Sequence, residues 1–529
     1  MLAKVHSCGI QGLDAYFITI EVDVSTGLPS TVIVGLPDNA VKESKERVRA
    51  AIKNSSYKLG PKRVTINLSP ADTKKEGPSF DLAIAVGILA ATEQINPAYL
   101  DEFIILGELS LDGHIQPISG SLSVALAMRQ SPFQGLILPS ANAREAALSR
   151  YPHIYPVETL KEVIHLLSNP EGISPLSPES VAISFQPAYP PIDFADVKGQ
   201  TSVKRGLEIT AAGGHNALMI GPPGSGKSML AKRLPTILPD MTLEESLETT
   251  QIHSVMGLLK PDRGIVTNRP FRSPHHTTSD VALVGGGSLP RPGEVTISHN
   301  GVLFLDELPE FNRNCLEALR QPLEDHSVVI CRATKSIRFP SKFMLVAAMN
   351  PCPCGALGQL KSTCRCNTTQ IAKYRSKISG PLLDRIDIHL DVPAVRYQEL
   401  SNTLPAESSA RIKERVSKAR AVQIERFSAE DGKNGACPAN PAPGGTNGGG
   451  IACNAQMSHR QVRQFCALGT EENDLLKMAM TELNFSARAY DKILKVSRTI
   501  ADLEGAEQIK TEHLAEAIQY RSMDREFFG

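Results

Sequence analysis

The sequence predicts two folded parts of different class: an α+β domain at the front, and behind it an α/β module with a parallel sheet, flanking helices and a helical lid. Three observations predict this. The run LDAYFITIEVDVS (13–25) alternates apolar and polar residues, as a half-buried strand of a mixed sheet does. Farther on, the short apolar runs ALMI (217–220), GVLFL (301–305) and KFMLVAAM (342–349) each stop at glycine, acidic or amide residues, the pattern of buried parallel strands with polar carboxyl ends. After about residue 401 the apolar spacing becomes that of helices.

The 529 residues suffice for about two to four domains with cores of their own. Lys plus Arg and Asp plus Glu balance at 56 each, so no overall basic field points to nucleic acid, and any polyanion site has to be local. Tryptophan is absent and aromatic residues make up 5%, which argues against base stacking on exposed rings as the main device. The stretch MLAKVHSCGIQGLDAY lacks the apolar core of a signal peptide, and no run of eighteen apolar residues occurs. A soluble, cytoplasmic chain with no membrane partner is therefore expected.

Residues 1–170 are expected to form the front domain, in which STVIVGL (30–36) and RVTINLS (63–69) read as further strands around a helix from about Asn39 to Lys53. Residues 171–192 lie in a stretch dense in proline, which disfavours helix and gives a semi-rigid linker. The α/β module follows over 193–400 and the helical part over 401–529, with a flexible loop of low complexity at about 429–455.

Gly221, Pro222, Pro223, Gly224, Ser225, Gly226, Lys227 and Ser228 follow ALMI and precede the helical MLAKRL, matching G-x-x-x-x-G-K-[ST]. The glycines let consecutive N–H groups turn inward toward phosphate oxygens, and the helix starting near Lys227 adds the positive end of its dipole. Lys227 is expected to reach the β- and γ-phosphates of ATP, and the Ser228 hydroxyl to ligate Mg2+. Asp306 and Glu307 end the strand GVLFL at the same edge of a parallel sheet, where ligands sit. Asp306 is expected to hold Mg2+ through water, and Glu307 to orient and polarise the attacking water. Asn350 ends a third strand with an amide suited to holding that water against the γ-phosphate.

Between these strands, residues 240–300 are rich in helix and strand breakers, and such a stretch is either disordered or functional. Residues 312–325 read as one helix, and SVVICRATKSIRF (327–339) as a hairpin whose polar tip runs from Arg332 to Lys335. Cys352, Cys354, Cys364 and Cys366 follow with the spacing C-x-C, nine residues, C-x-C, and four thiolates so close in sequence can close a tetrahedron around Zn2+. The other six cysteines are isolated and are assigned no chemistry. Helices are expected near 406–427, 458–468, 471–483, 487–503 and 511–521, with Ser486 and Thr511 as N-caps.

Several stretches resemble known families. EGPSFDLAIAVGILAA (76–91) with LGELSLDGHIQPISGSLSVALA (106–127) resembles the proteolytic domain of Lon, whose serine–lysine dyad has its serine in a GPS turn. Ser79 falls on that serine, but Val124 stands where the lysine would. A serine without a base is a weak nucleophile, so a Lon-like fold without peptidase chemistry is expected. DFADVKGQ (193–200) resembles the segment of AAA+ ATPases that lies along the adenine. The ordered set GPPGSGKS, FLDE, AAMNPCPCG, GPLLDRID and FSARAY resembles the magnesium-chelatase-like branch of AAA+ ATPases and, with the Lon-like front, the ComM (YifB) family.

This resemblance implies a sensor-1 role for Asn350, a finger role for Arg385 in a neighbour's nucleotide site, and for Arg488, in the first turn of a lid helix, contact with the γ-phosphate. It further implies a homo-hexameric ring acting as an ATP-driven DNA helicase on single-stranded and branched DNA, promoting branch migration during integration of transforming DNA. In such a ring the hairpin tips would point into the pore, where Arg332 and Lys335 grip phosphates, and the insertion at 280–293 with Arg291 would form a second pore loop. Two other readings stay open, the motor subunit of a metal chelatase and a remodelling chaperone or ATP-dependent protease.

Overall fold

The structure, a computed structural model, describes residues 2–177, 179, 192–259, 264–287, 290–331, 336–357, 363–395, 406–431, 453–483 and 485–523. Arg332 and Lys335 lie outside the described residues, as do most of the expected linker at 171–192, the boundary at 400–401 and most of the loop at 429–455. The chain divides into two compact units, Met1–Gln186 with Leu243–Val266, and Pro187–Thr242 with Thr267–Gly529.

In the first unit, β1 (Leu2–Gln11) and β2 (Asp14–Thr26) form a long antiparallel hairpin, in register from Leu2 opposite Asp23 to Gln11 opposite Asp14. Val5, Ile18, Ile20 and Val22 on its inner face are buried, as the alternation requires. β3 (Ser30–Val34), β4 (Lys62–Ser69), β5 (Phe103–Ile105), β6 (Gly135–Pro139) and β7 (Ile154–Val157) complete a mixed sheet of seven strands in the order β3-β4-β2-β1-β5-β6-β7. α1 (Asn39–Asn54) begins at Asp38, whose carboxylate accepts the Val41 N–H at 2.8 Å, and buries Val41, Val48, Ala51 and Ile52 along one stripe. α2 (Asp81–Ala91) is apolar all round except for Asp81 and is buried along its whole length. Burial pushes the Asp81 carboxyl up to about 6, against the opposing pull of Arg47, which donates to it at 2.8 Å.

The α/β module does not run unbroken through 193–400. Leu243–Val266 belongs to the first unit, and within the breaker-rich stretch it forms the helix Leu243–Val255. That helix packs on α3 (Ser121–Met128): Gln251 Nε2 donates to the Leu13 carbonyl at 2.9 Å and to Ser123 Oγ at 3.2 Å, and Ser254 Oγ donates to the buried carboxylate of Glu145. Partners so distant in sequence leave no mark on local composition.

The second unit is built on β8 (Ala217–Ile220), β9 (Phe271–Arg272), β10 (Val302–Leu305), β13 (Met344–Met349) and β14 (Ile388–Asp391), a sheet in the order β9-β10-β13-β8-β14 with every pairing parallel. Between them, β11 (Ser327–Cys331) and β12 (Ser336–Pro340) make the expected hairpin. Ile220 pairs with Met349 and Leu305 with Ala347, so the residues that follow β8, β10 and β13 share the carboxyl edge. α4 (Lys227–Arg233) starts at that edge. The helical part contains α5 (Ser409–Asp431), α6 (Ala487–Glu504) and α7 (Thr511–Gln519).

Two local expectations are corrected. Residues 312–325 are two helices, Arg313–Ala318 and Arg320–Asp325, because Pro322 has no N–H to return to residue 318 and its ring crowds that carbonyl. Thr511 is the first residue of α7 and not its cap: Lys510 holds the N-cap position, and its N–H is taken by His513 Nδ1 at 3.1 Å. Ser486 does cap α6, accepting the Ala489 N–H at 3.2 Å. Among the described residues, no helix is long and apolar enough to cross a membrane.

Candidate nucleotide site and its distant arginines

GPPGSGKS leaves β8 and enters α4, as a strand–loop–helix phosphate cradle requires. Gly224 and Gly226 have φ of +75° and +91°, a left-handed backbone that side chains with a Cβ resist, and this is what turns the loop's N–H groups inward. Lys227 is buried, and its ammonium donates to the carbonyls of Gly221 at 2.7 Å and Pro222 at 2.9 Å and to Asn350 Oδ1 at 3.2 Å. Burial lowers the pKa of this amine from the ordinary lysine value, while the charges of Asp306 and Glu307 oppose the shift. Ser228 Oγ donates to Asp306 Oδ2, and the Glu307 N–H donates to Asp306 Oδ1 at 2.9 Å. Lys227 thus meets Asn350, and Ser228 meets Asp306, so that the ends of three strands are joined through the loop. Glu307 has φ of +52° and an exposed side chain, which aims its carboxylate away from the strand.

Residues to which the sequence assigns no role of their own support this cluster. Gln200, left-handed and buried, donates through Nε2 to the carbonyls of Ser225 at 2.8 Å and Pro393 at 3.0 Å and so pins the loop from behind. His276 Nδ1 stands 3.5 Å from Glu307 Oε2. A nucleotide and Mg2+ fit this donor set. Two buried polar atoms beside the loop, Ser225 Oγ and Gln200 Oε1, have no hydrogen-bond partner among the described residues, and Ser228 with Asp306 offers the hard oxygen donors that Mg2+ takes.

Arg385 lies elsewhere. It precedes β14, whose first residue, Ile388, pairs with Ala217, the first residue of β8, so Arg385 stands at the amino edge of the sheet. The four residues of β14, at about 3.3 Å each, put roughly 13 Å of strand between it and the carboxyl edge. Its guanidinium donates to the Pro381 carbonyl at 2.7 Å and is paired with Glu324. Arg488, in the first turn of α6, is at the same edge, with Nη1 3.9 Å from Asp384 Oδ2. One turn on, Lys492 pairs with Asp387, which also accepts the Asn216 N–H at 2.9 Å. Burial would raise the Asp387 carboxyl, but Lys492 and His215 outweigh it and hold the group well below the usual carboxylate range. Asn216 completes the tie, donating through Nδ2 to the Arg385 carbonyl at 3.0 Å.

Arg291 is exposed on the short hairpin Gly285–Gly286 with Arg291–Pro292. A Cβ at Gly285 would stand 2.8 Å from Ile330 Cδ1, so this hairpin packs beside β11. The sulfurs of Cys352, Cys354, Cys364 and Cys366 all lie within 4.8 Å of one another, three of the separations being 3.4, 3.6 and 3.6 Å. Zn–S bonds of about 2.3 Å in a tetrahedron place sulfurs about 3.8 Å apart, so the four fit one Zn2+. In the first unit, Ser79 sits in the turn Pro78–Phe80 ahead of α2, and among the described residues no side-chain base is hydrogen-bonded to its hydroxyl. Val124 is buried among Ile104, Leu136 and Met128.

Known proteins resemble the chain over nearly its whole length. Residues 193–400 match the family model described as magnesium chelatase, subunit ChlI, residues 20–142 one described as subunit ChlI of Mg-chelatase, and residues 406–521 the C-terminal model of the same subunit. The competence protein ComM of Haemophilus influenzae is 43% identical, with 99% of this chain and 98% of that protein covered. The YifB protein of Escherichia coli is 41% identical over 99% of this chain and 98% of its own. A Lon protease of Azorhizobium caulinodans is 27% identical over 30% of this chain and 20% of its own length.

Proposed function

The chain belongs to the ComM (YifB) family of magnesium-chelatase-like AAA+ ATPases with a Lon-protease-like front domain, and from that premise we propose that it is a ring-forming, ATP-driven DNA motor that migrates DNA branches while transforming DNA is integrated by homologous recombination. The observation that carries the ring is the placement of Lys227, Asp306 and Asn350 at one edge of the sheet and Arg385 at the other. A complete catalytic site then takes the carboxyl edge of one copy and the amino edge of the next.

In that site Lys227 binds the β- and γ-phosphates, and Ser228 and Asp306 hold Mg2+, which when bound neutralises phosphate charge. Glu307 orients and polarises the attacking water, with the Asn350 amide as its second anchor. Arg385 leaves Glu324 and meets the developing charge on the neighbour's γ-phosphoryl group. Arg488, held on Asp384 beside it, serves the same neighbouring site and not that of its own chain. The hairpins that carry Arg291, Arg332 and Lys335 grip backbone phosphates of single-stranded and branched DNA in the pore of a homo-hexamer, which gives a chain without net charge a local cationic track. The four cysteines hold a structural Zn2+, and the Lon-like front domain is without peptidase activity.

The test is ATP turnover with and without single-stranded, duplex and forked DNA, beside mass measurement of the nucleotide-bound assembly. Six copies and DNA-stimulated turnover are expected. A one-copy particle with full turnover under every nucleotide and DNA condition would refute the reading, and stimulation by a metal-binding partner with none by DNA would favour a chelatase motor.

A further inference from the structure

The chain passes directly from the catalytic edge into the cysteine cluster. Asn350, in contact with Lys227, is followed by Pro351 and the buried Cys352, and a turn closes where the Gly355 N–H meets the Cys352 carbonyl at 3.0 Å. Gly355 has φ of +76°, and a Cβ built on it would stand 2.4 Å from Pro223 Cδ and 2.6 Å from Pro223 Cγ. The cysteine turn is therefore seated on the phosphate loop with no room for a side chain between them. The other pair of cysteines anchors the far end of the same unit. Asn367, next to Cys366, caps the helix Thr368–Arg375, and Arg375 from its last turn returns Nη2 and Nε to the Pro351 carbonyl at 3.1 and 3.3 Å. The four sulfurs are the point at which this circuit closes.

We infer that Zn2+ on Cys352, Cys354, Cys364 and Cys366 is the brace that holds Gly355 against Pro223, so that metal occupancy sets the affinity of the phosphate loop for nucleotide. The inference rests on the reading of GPPGSGKS as the nucleotide site and of the four cysteines as a zinc site. A metal bound by four thiolates contributes folding energy to the segment it closes. Here that segment is one wall of the loop carrying Pro222 and Pro223, and releasing it frees Pro223 to move without altering any residue that touches phosphate. Gly355 and Pro223 act as positioning residues.

The experiment uses the full chain as purified. Metal analysis is expected to find one zinc per chain, and a fluorescent ATP analogue reports binding before a chelator strips the zinc, after it, and after Zn2+ alone is returned. Stripping should weaken binding on the order of tenfold or more, as small misplacements of a binding group do, and returned Zn2+ should restore it. Gly355→Ala keeps every thiol and should retain zinc while raising the KM for ATP and leaving kcat at saturation nearly unchanged, a split that general unfolding would not produce. Zinc absent from the purified chain and not taken up on addition overturns the inference, and so does unchanged nucleotide affinity after complete stripping. Failure of the zinc-loaded chain to bind the analogue at all would instead sink the nucleotide-site reading, and the inference with it.

Discussion

At the carboxyl edge of the five-stranded sheet, Lys227 meets Asn350 and Ser228 meets Asp306 across three strand ends, whereas at the amino edge Arg385 and Arg488 rest on Glu324 and Asp384 of their own chain. The first group is drawn together by the fold alone, since parallel pairing aligns the ends of its strands. The second is a pair of cations on exchangeable partners: Arg385 is itself mostly buried but its partner Glu324 is 58% exposed, and Arg488 with Asp384 is a solvent-exposed pair of the kind that is worth little. On the proposed reading, the difference teaches that folding completes one half of a catalytic site and that association supplies the other.

The sharpest way to break this contrast is Lys227→Ala, which should remove nucleotide binding by on the order of 10³-fold, the scale for loss of a buried charge partner, as read by titration with a fluorescent nucleotide. Arg385→Ala should leave binding intact and lower turnover by about 10³-fold or more. Glu307→Gln should likewise keep ATP and lower turnover by about 10²–10⁴-fold. Mixing these last two variants pairs one intact carboxyl edge with one intact amino edge, so part of the activity should return. No recovery in a mixture of confirmed assembly would show that the edges do not meet.

Lys492→Met strips the buried Asp387 of its cation and should cost about 3–5 kcal/mol in the unfolding of the second unit, followed by the denaturant midpoint. The smallest effect is expected from Ser79→Ala, because the GPS turn leads into a buried helix as GPPGSGKS leads into α4, yet among the described residues no side-chain base is hydrogen-bonded to Ser79. ATP turnover and stability should be unchanged, and a fluorophosphonate probe should leave Ser79 unlabelled; labelling there would return a nucleophile to the first unit.

The carboxyl edge is legible in the sequence because Asp306 and Asn350 directly follow apolar runs and Lys227 and Ser228 end a glycine-rich motif that follows a third, so motif and strand end coincide. The hairpin of β11 and β12 and the start of α6 at Ser486 are legible for similar reasons: alternation and capping are local. What the sequence hides is held by partners far along the chain. Gln200 reaches Ser225 and Pro393, Glu324 meets Arg385, and Asn216 ties the Arg385 carbonyl to the strand beside it, none of which has a spacing to betray it. Pro322 is a helix breaker, but the length of the helical pattern around it conceals the break at Leu319.

The excursion of Leu243–Val266 has a bearing on how the molecule can be taken apart. Because the polypeptide departs from the second unit after Thr242, contributes a helix to the first and comes back at Thr267, a protease cutting only between residues 171 and 192 would release nothing. A fragment starting at Pro187 would drag along Ser246, Thr250 and Ile252 stripped of the surfaces that shelter them. Dissection of the two units therefore belongs to point substitutions, not to truncation.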